Sequence, residues 1–280
     1  MDTIWELWWV LPAAVGFSTI AVGSGVSGAL FFSPFFMLVV GLPPAQAIGA
    51  GLLTEVFGMG NGLRSYVTQR LVDYATARWL LLGAVPSVVV GAIFAHQVPD
   101  TTLKLIFGAG LLILAGFLIL VPAPEEAESE DPAHLPADEP GDKFTVITAL
   151  DGSVFEYPNC RRAPGVIMAA VGGGLTGLIS AGLPEISTTQ LILRCRIPPR
   201  VAIATSVFVL AITATVGAGI HALAAEPAWN VVAWSIPGVL MGSTMGSRLG
   251  KYIPSSLMEK VLGAIFGLVG ALVLGLELLL

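Results

Sequence analysis

The stretch GLPPAQAIGAGLL at residues 41–53 recurs in altered form as RIPPRVAIATSVF at residues 196–208. Both copies carry a Pro-Pro pair followed shortly by Ala-Ile, and the upstream tetrapeptide AAVG occurs at 13–16 and again at 169–172. Self-similarity at this spacing indicates a duplicated structural unit. The sequence therefore predicts three parts: a first membrane repeat over 1–121, an insert over 122–163 and a second membrane repeat over 164–280.

The composition indicates a membrane protein. Of 280 residues, 55% are hydrophobic and 11% are charged, whereas soluble domains average about 25% charged residues. Ten of the 19 acidic residues lie in the insert, so the net charge of -6 mostly describes that segment. No basic stripe marks a nucleic-acid partner. The opening MDTIWELWWVLPAAV lacks a basic region and a cleavage site, so we expect a first helix anchored by interfacial tryptophans rather than a signal peptide.

Each repeat is expected to begin with a broken helical hairpin. Its two arms flank a tip rich in Gly, Ser and Pro, and arms of ~12–16 residues reach only ~18–24 Å of a ~30 Å hydrocarbon core. Three longer helices follow each hairpin. The predicted arms are 8–23 and 28–41, then 164–179 and 184–195, and the predicted longer helices are 45–63, 77–96 and 102–121, then 200–223, 229–248 and 255–277.

The positive charges predict the orientation of these segments. With the N-terminus outside, twelve of the 13 Lys and Arg residues fall in the cytoplasm, and Lys104 is the exception. Both termini are then outside and segment 122–163 is cytoplasmic. The two hairpins would enter from opposite faces, which makes the repeats inverted. Inverted repeats with broken helices are typical of transporters. The predicted fold class is an all-α polytopic membrane protein of two inverted repeats with a small cytoplasmic β-hairpin.

The insert combines an acidic low-complexity linker with the stretch KFTVITALDGSVFEYPNC. Alternation around Asp151-Gly152 predicts a β-hairpin, read either as a regulatory flap or as a small cytosolic decoration. The two cysteines, Cys160 and Cys195, fall in segments placed in the cytoplasm. We therefore expect free thiols, with no disulfide, no metal site and no cofactor.

The hairpin tips are the candidate binding site. GSGVSG at 23–28 and GGGLTG at 172–177 fit a dinucleotide-binding spacing but lack the strand that this motif requires. The second instead predicts close helix packing through Gly173 and Gly177. At each tip the second arm begins with unpaired N–H groups and a favourable dipole, which suit an anion. The predicted substrate-binding residues are Ser24, Gly25, Ser27, Gly28, Ser33, Asn61, Gly182, Pro184, Ser187, Thr188, Thr189 and Gln190. Interhelical hydrogen bonding is the alternative explanation for the polar ones.

Two carboxylates, Glu55 and Glu185, lie deep in apolar sequence. Acidic residues inside a membrane are costly and often functional, so both are candidates for proton coupling. The alternative for Glu185 is a cap on its own helix N-terminus. For Glu55 the alternative is a structural hydrogen bond between helices.

The order of these motifs resembles the sulfite exporter TauE/SafE family. The resemblance rests on GSGVSGALFFSPFFMLVVGLPPAQA, the weaker GLISAGLPEISTTQLILRCRIPPRVA and the following NGLRSYVTQRLVDYATA. The second tip departs from the family, because Leu-Pro-Glu stands where a G-x-G-G-G run is usual. The resemblance implies export, or sometimes uptake, of sulfite, organosulfonates or other small sulfur anions across the bacterial inner membrane.

The sequence thus predicts a secondary transporter, acting as an exporter of sulfite or a short organosulfonate by alternating access and coupled to protons. Its partners are the small anion and the lipid bilayer, and a homodimer is left open. The alternatives are a passive small-anion channel and a transporter of a small carboxylate. An assembly or sensing protein that uses the insert is a further alternative. A membrane enzyme is disfavoured because the three histidines lie near helix ends or in the linker.

Overall fold

The computed structural model describes residues 4–24, 27–120, 144–249 and 255–279. After a 3-10 turn at Ile4–Leu7, the first repeat forms α1 (Val10–Ser24), α2 (Ala29–Leu38), α3 (Pro44–Thr68), α4 (Tyr74–Ala95) and α5 (Asp100–Leu120). Strands β1 (Phe144–Thr148) and β2 (Val154–Pro158) follow. The second repeat forms α6 (Arg162–Ile179), α7 (Leu183–Thr189) with a π-helical continuation (Gln190–Arg194), α8 (Pro199–Ala224), α9 (Trp229–Leu249) and α10 (Ser255–Leu279).

The helix starts follow from local sequence. Pro44 and Pro199 begin α3 and α8, where the missing proline N–H leaves no hydrogen bond unmade. Asp73 caps α4 by accepting hydrogen bonds from the Ala75 and Thr76 N–H groups. Helices occupy every segment that the sequence predicted as an arm or a long helix, with small differences at the ends. The helical part of the predicted fold class is confirmed.

Several helices suit a membrane. Within the described residues, α4, α5, α6 and α8 are long and apolar enough to cross a bilayer. Helices α2 and α7 are much shorter, with ten and seven residues. The protein is therefore a multi-pass membrane protein in which long apolar helices surround two short ones.

The two repeats contact each other by exchanged pairs. Helix α1 packs mainly on α9, and α6, which corresponds to α1, packs mainly on α4, which corresponds to α9. Helices α3 and α5 pack on their own counterparts, α8 and α10. The contacts between the halves therefore repeat when the halves are exchanged.

Glycines allow the close crossing of α4 and α6. A Cβ at Gly173 would lie 2.5 Å from the Ala84 carbonyl oxygen, and one at Gly177 would collide with the Val88 carbonyl oxygen. The predicted close packing through these two glycines is confirmed. The related pair α1 and α9 uses Gly242, where a Cβ would lie 2.5 Å from the Val15 carbonyl oxygen. Small residues thus let backbones meet without side chains between them.

The helices run so that distinct contacts gather at the two ends of the bundle. At one end, the Gln46 side chain on α3 donates to the Glu226 carbonyl oxygen just beyond α8, at 3.2 Å. At the other end, Thr205 near the start of α8 meets the Asp73 N–H just beyond α3, at 3.0 Å. Helices α3 and α8 are therefore antiparallel. We call the second end the hairpin end, because the β-hairpin formed by β1 and β2 docks there. The name does not refer to the helical hairpins.

The β-hairpin is packed onto the helices. The Tyr157 hydroxyl donates to Asp73 Oδ2 at 3.1 Å, and both residues are buried. Leu150 N–H donates to the Gln69 carbonyl oxygen at 3.0 Å. A small apolar cluster seals this contact; its buried members are Leu71, Val72, Ala149 and Ala204. The hairpin therefore joins the α3–α4 turn of the first repeat to α8 of the second.

Charge also holds the tip of the hairpin. Arg200 pairs with Asp151 at 3.2 Å on the surface. Hydrogen bonds from the Ser153 hydroxyl and N–H, together with Arg200, lower the pKa of Asp151 to about 2. A lowered pKa means that this contact contributes fully above the ordinary pKa of 3.8 and is lost as the pH falls towards 2. Across the physiological range the contact is therefore independent of pH.

The prediction of free thiols is wrong. Cys160 and Cys195 form a disulfide, with their Cα atoms 5.1 Å apart, within the usual range for such a bond. Cys160 closely follows β2, and Cys195 follows the π-helical segment that extends α7. Docking of the hairpin brings these chain segments together, although the cysteines are separated by 35 positions in the sequence.

Candidate functional site

The tips of the two helical hairpins, α1–α2 and α6–α7, meet at Ser27. This buried residue lies between α1 and α2 and directly precedes Gly28, the N-cap of α2. Its hydroxyl donates to Glu55 Oε1 at 2.5 Å, and its N–H donates to Glu185 Oε1 at 3.4 Å. One serine therefore connects a carboxylate from α3 with a carboxylate from the second repeat.

Glu55 comes from the middle of α3 and lies at the start of α2. Only 2% of the residue is exposed, and its carboxylate faces the backbone N–H groups of Gly28 and Ala29. Its Oε2 atom has no hydrogen-bond partner within the described residues. An ionised carboxylate favours the positive end of a helix, so Glu55 occupies a place suited to an anion.

Glu185 occupies the same kind of place at the second tip. Gly182 adopts φ +111°, a left-handed conformation that suits glycine and lets the chain turn from α6 into α7. Its N–H donates to Glu185 Oε2 at 3.1 Å. Glu185 therefore caps its own helix and also reaches across to Ser27. This contact matches the capping alternative considered from the sequence and adds a link between the repeats.

Hydroxyl groups line the approach from α2 to the second tip. Ser33 and Ser180 are both fully buried, with their hydroxyl oxygens 2.5 Å apart. Ser180 is left-handed, at φ +58°, and donates to the Ile179 carbonyl oxygen at 2.6 Å. The Thr176 hydroxyl accepts from the Leu183 N–H at 3.2 Å. In this structure the Gly182 and Leu183 N–H groups at the start of α7 are therefore satisfied by side chains of the protein itself.

Helix α7 and its π-helical continuation present a buried polar face. Ser187 and Gln190 are nearly fully buried, whereas Thr188 and Thr189 are half-buried. Ser187 Oγ and Gln190 Oε1 have no hydrogen-bond partner among the described residues. Buried polar atoms usually have partners, so this face of α7 has unused hydrogen-bonding capacity.

The structure gathers some of the predicted site residues and separates others. Ser27, Gly28, Gly182, Glu55 and Glu185 form one cluster. Ser33 lies beside the second tip through Ser180. The remaining residues of the list divide into those along α7 (Pro184, Ser187, Thr188, Thr189 and Gln190) and those that fall outside the described residues or side chains (Ser24, Gly25 and Asn61).

Sequence reasoning missed Ser180 and Thr176. Ser180 lies inside the quoted stretch GLISAGLPEISTTQLILRCRIPPRVA, so its position was available, but its left-handed backbone was not. Thr176 lies in the glycine-rich GGGLTG run, which was read for packing alone. Both residues act through contacts across the α6–α7 turn, which residue spacing does not reveal.

The carboxylates at this site have no cationic partner in the described part of the chain. The ion pairs found there join Lys104 with Glu277 and Arg200 with Asp151, both away from the tips. The described part of the chain also contains no group of three or more His, Cys, Asp or Glu residues arranged to hold a metal. Backbone N–H groups and a serine hydroxyl supply the polar contacts of the two carboxylates.

Comparison with known proteins shows the family of this chain. The model of a family described as "Sulfite exporter TauE/SafE" matches residues 10–273. This chain belongs to the sulfite exporter TauE/SafE family. As a member, it is a membrane transporter protein, and the family resemblance inferred from the motifs is confirmed.

Two curated relatives of the TauE/SafE chain are named as transporters. The "Probable membrane transporter protein YunE" of Bacillus subtilis (strain 168) is 25% identical over 237 residues, which cover 83% of this chain and 82% of the relative. The "Probable membrane transporter protein ORF9" of Sinorhizobium sp is 33% identical over 86 residues, covering 31% of this chain and 33% of the relative. No solved structure matches.

Proposed function

We propose that this TauE/SafE family member exports a small sulfur-containing anion, such as sulfite or a short organosulfonate, across the bacterial inner membrane. Transport proceeds by alternating access, and a proton moves with the anion. The observation that carries the proposal is Ser27, which donates its hydroxyl to Glu55 and its N–H to Glu185. The family match supports the class of substrate.

The chemistry of the site supports competition between substrate and carboxylate. The donors suited to a small anion are the Ser27 N–H and hydroxyl and the Gly182 N–H. Two glutamates hold these donors in the described state. An anion gains them only when a carboxylate withdraws or takes up a proton, because a protonated carboxyl has less acceptor capacity and no charge.

Electrostatics favour the protonated route. Two buried carboxylates that share one serine repel each other when both are ionised, and no described cation pairs with them. A proton on either glutamate removes that repulsion as the anion binds. The anion and the proton therefore bind together and leave together.

The membrane potential gives this cycle a direction. A sulfite dianion that travels with one proton carries a net negative charge. The interior of a bacterium is negative, so outward movement of one such charge gains ~2.3 kcal/mol per 100 mV. Export follows from the potential without a nucleotide.

Alternating access rests on repeats inverted in the membrane, with α1–α2 and α6–α7 entering from opposite faces. The exchanged helix pairs and the antiparallel arrangement of α3 and α8 support this geometry. We place the N- and C-terminal ends outside and residues 122–163 in the cytoplasm, because the arginines at the hairpin end follow the positive-inside rule.

Purified protein in liposomes tests the coupling. We expect sulfite flux to depend on pH in the wild type and to lose most of that dependence in Glu185→Gln and Glu55→Gln, since glutamine has the same shape and no proton to exchange. Glu226→Gln is the matched control, because Glu226 is exposed away from the tips. Unchanged pH dependence in both site variants would reject the role of the glutamates.

A panel of ligands tests the substrate class. Ligands that bind the folded protein raise its melting temperature by mass action. We expect shifts with sulfite, sulfoacetate or sulfolactate that are absent in Ser27→Ala. A response to carboxylates alone would indicate a carboxylate transporter. Flux without counterflow or saturation would indicate a channel.

A further inference from the structure

The Cys160–Cys195 disulfide links the hairpin to the half-helix that carries Glu185. Cys195 ends the helical run that begins at Leu183, and Cys160 closely follows β2. The hairpin itself is held elsewhere, by the Tyr157 contact to Asp73 and by the Arg200 ion pair. Opening the disulfide would therefore leave the hairpin docked and remove the covalent tie at the end of the half-helix.

Positive charge surrounds this bond in the sequence. Arg161 and Arg162 directly follow Cys160, and Arg194 and Arg196 stand on either side of Cys195. All four arginines are exposed, and none belongs to an ion pair within the described residues, although the Arg162 guanidinium lies over the Trp79 ring at 4.4 Å. Cations without a carboxylate partner attract anions to a surface and stabilise a thiolate.

The two cysteine residues differ in exposure. Cys160 is half-buried, whereas Cys195 is 4% exposed. A nucleophile from solution therefore reaches the Cys160 sulfur more easily and displaces the Cys195 sulfur as the leaving group. Disulfide cleavage depends on access of this kind and on how readily the leaving thiolate forms.

We propose that Cys160–Cys195 is a reactive disulfide that sulfite opens by attack on Cys160, releasing the half-helix that bears Glu185. The choice of sulfite rests on the proposed function. A disulfide on the cytoplasmic side, where the arginines place it, is usually transient or sensing rather than structural. The substrate thereby activates its own transporter by cleaving this bond.

The step needs no added oxidant or reductant, because sulfite itself is oxidised by two electrons as the disulfide is reduced. The sulfur lone pair of sulfite forms a new bond to Cys160 Sγ while the bond between the two cysteines breaks. The electron pair of that bond leaves on Cys195 Sγ as a thiolate, which takes a proton from water. The products are an S-sulfonate on Cys160 and a thiol at Cys195.

Mass spectrometry of the whole protein in lipid nanodiscs tests the cleavage. The protein is treated with sulfite, sulfate or methanesulfonate at equal ionic strength, and free thiols are then alkylated. We expect sulfite alone to place a sulfonate on the Cys160 peptide and an alkyl group on the Cys195 peptide. Free thiols in untreated protein, no cleavage by sulfite, or a sulfonate mainly on Cys195 would overturn the proposal.

Variants test the charge and the consequence. Arg161→Gln combined with Arg162→Gln should slow cleavage about 10-fold, as expected when electrostatic attraction is lost, while Lys104→Gln should not slow it. Flux should rise after sulfite pretreatment in the wild type and be high without pretreatment in Cys160→Ser/Cys195→Ser. If neither sulfite pretreatment nor the double serine substitution changes the flux, the disulfide does not restrain transport and the proposal is refuted.

These measurements also separate this proposal from the transport function. Cleavage is read on the cysteines by mass, whether or not sulfite crosses the membrane. Sulfite flux is read in the Cys160→Ser/Cys195→Ser variant, which has no bond to cleave. Sulfite flux without cleavage of the disulfide would reject the reactive disulfide and leave the proposed transport function standing. Cleavage without flux in either protein rejects sulfite as the cargo and keeps the reactive bond.

Discussion

Single residues in the left-handed conformation terminate helices at equivalent places in this protein. Gly41 follows α2 with φ +80°, and Arg196, its counterpart in the repeat, follows the α7 run with φ +53°. Arg70 ends α3 in the same conformation, at φ +58°. A residue with a Cβ has a cost of about 1–2 kcal/mol in this region. The two arginines are therefore kept at some cost in stability, and both carry charge to the hairpin end.

Replacing Arg70 tests that cost. Arg70→Gly should raise the free energy of unfolding by about 1 kcal/mol, because glycine adopts this conformation without strain. Thermal unfolding in detergent measures the change. The matched control is Arg64→Gly, on the exposed face of α3, which should lower stability by about 1 kcal/mol. Equal effects of the two substitutions would contradict the argument.

Tyr157, like Arg70, can be tested directly through one group, its hydroxyl. Burial and the neighbouring Asp73 carboxylate raise the pKa of Tyr157, so the phenol stays protonated and donates at every physiological pH. Tyr157→Phe should lower stability by about 1 kcal/mol, the usual net value of such a hydrogen bond. Tyr74→Phe, at a half-exposed ring, should have no effect. Differential scanning calorimetry of the two variants in nanodiscs distinguishes them.

At the scale of elements, the contact between α4 and α6 depends on which glycine faces the partner. Gly173 lies against backbone atoms of Ala84, whereas the nearest atoms to a Cβ on the adjacent Gly174 are those of Ser87, at 3.9 Å. The sequence run GGGLTG does not show this difference. The difference depends on how α6 is rotated about its own axis relative to α4, and the sequence alone does not specify that rotation.

Neighbouring glycine variants make this contact measurable. Gly173→Ala should destabilise the protein by about 1–3 kcal/mol, because a backbone carbonyl cannot move aside as a flexible side chain does. Gly174→Ala should be neutral or stabilising by up to about 1 kcal/mol, since alanine favours a helix. Unfolding in mixed detergent micelles gives both values. A larger loss from Gly174→Ala would mean that α6 is rotated relative to the structure.

The elements were largely predictable, and their contacts were not. Proline pairs, glycine tips and apolar length gave every helix, because each of these acts over a few neighbouring residues. The meeting of Ser27 with Glu55 and Glu185 was only partly foreseen, since the predicted inversion of the repeats would bring the tips together but does not say which donors are used. The Cys160–Cys195 bond was missed because the compartment predicted for both residues argued against it.

The whole molecule has two chemically different ends. The hairpin end gathers Arg200, Asp151 and the disulfide. At the opposite end, Lys104 pairs with Glu277 at 3.0 Å, and the imidazoles of His96 and His221 hydrogen-bond at 2.9 Å. These contacts join the start of α5 to the end of α10, and the end of α4 to that of α8. This difference between the ends accompanies the orientation that we propose from the positive-inside rule, with the arginine-rich hairpin end in the cytoplasm.

Impermeant thiol labelling of intact cells tests this orientation. In a Cys160→Ser/Cys195→Ser background, Glu226→Cys should react with a membrane-impermeant maleimide, because Glu226 is exposed at the end opposite the hairpin. Glu156→Cys, exposed on β2, should react only after the cells are permeabilised. The two sites act as mutual controls, since each has a single exposed cysteine. The reverse pattern would place the hairpin outside. An outside hairpin would give the disulfide an oxidising compartment and leave the reactive role proposed for it without its compartmental support.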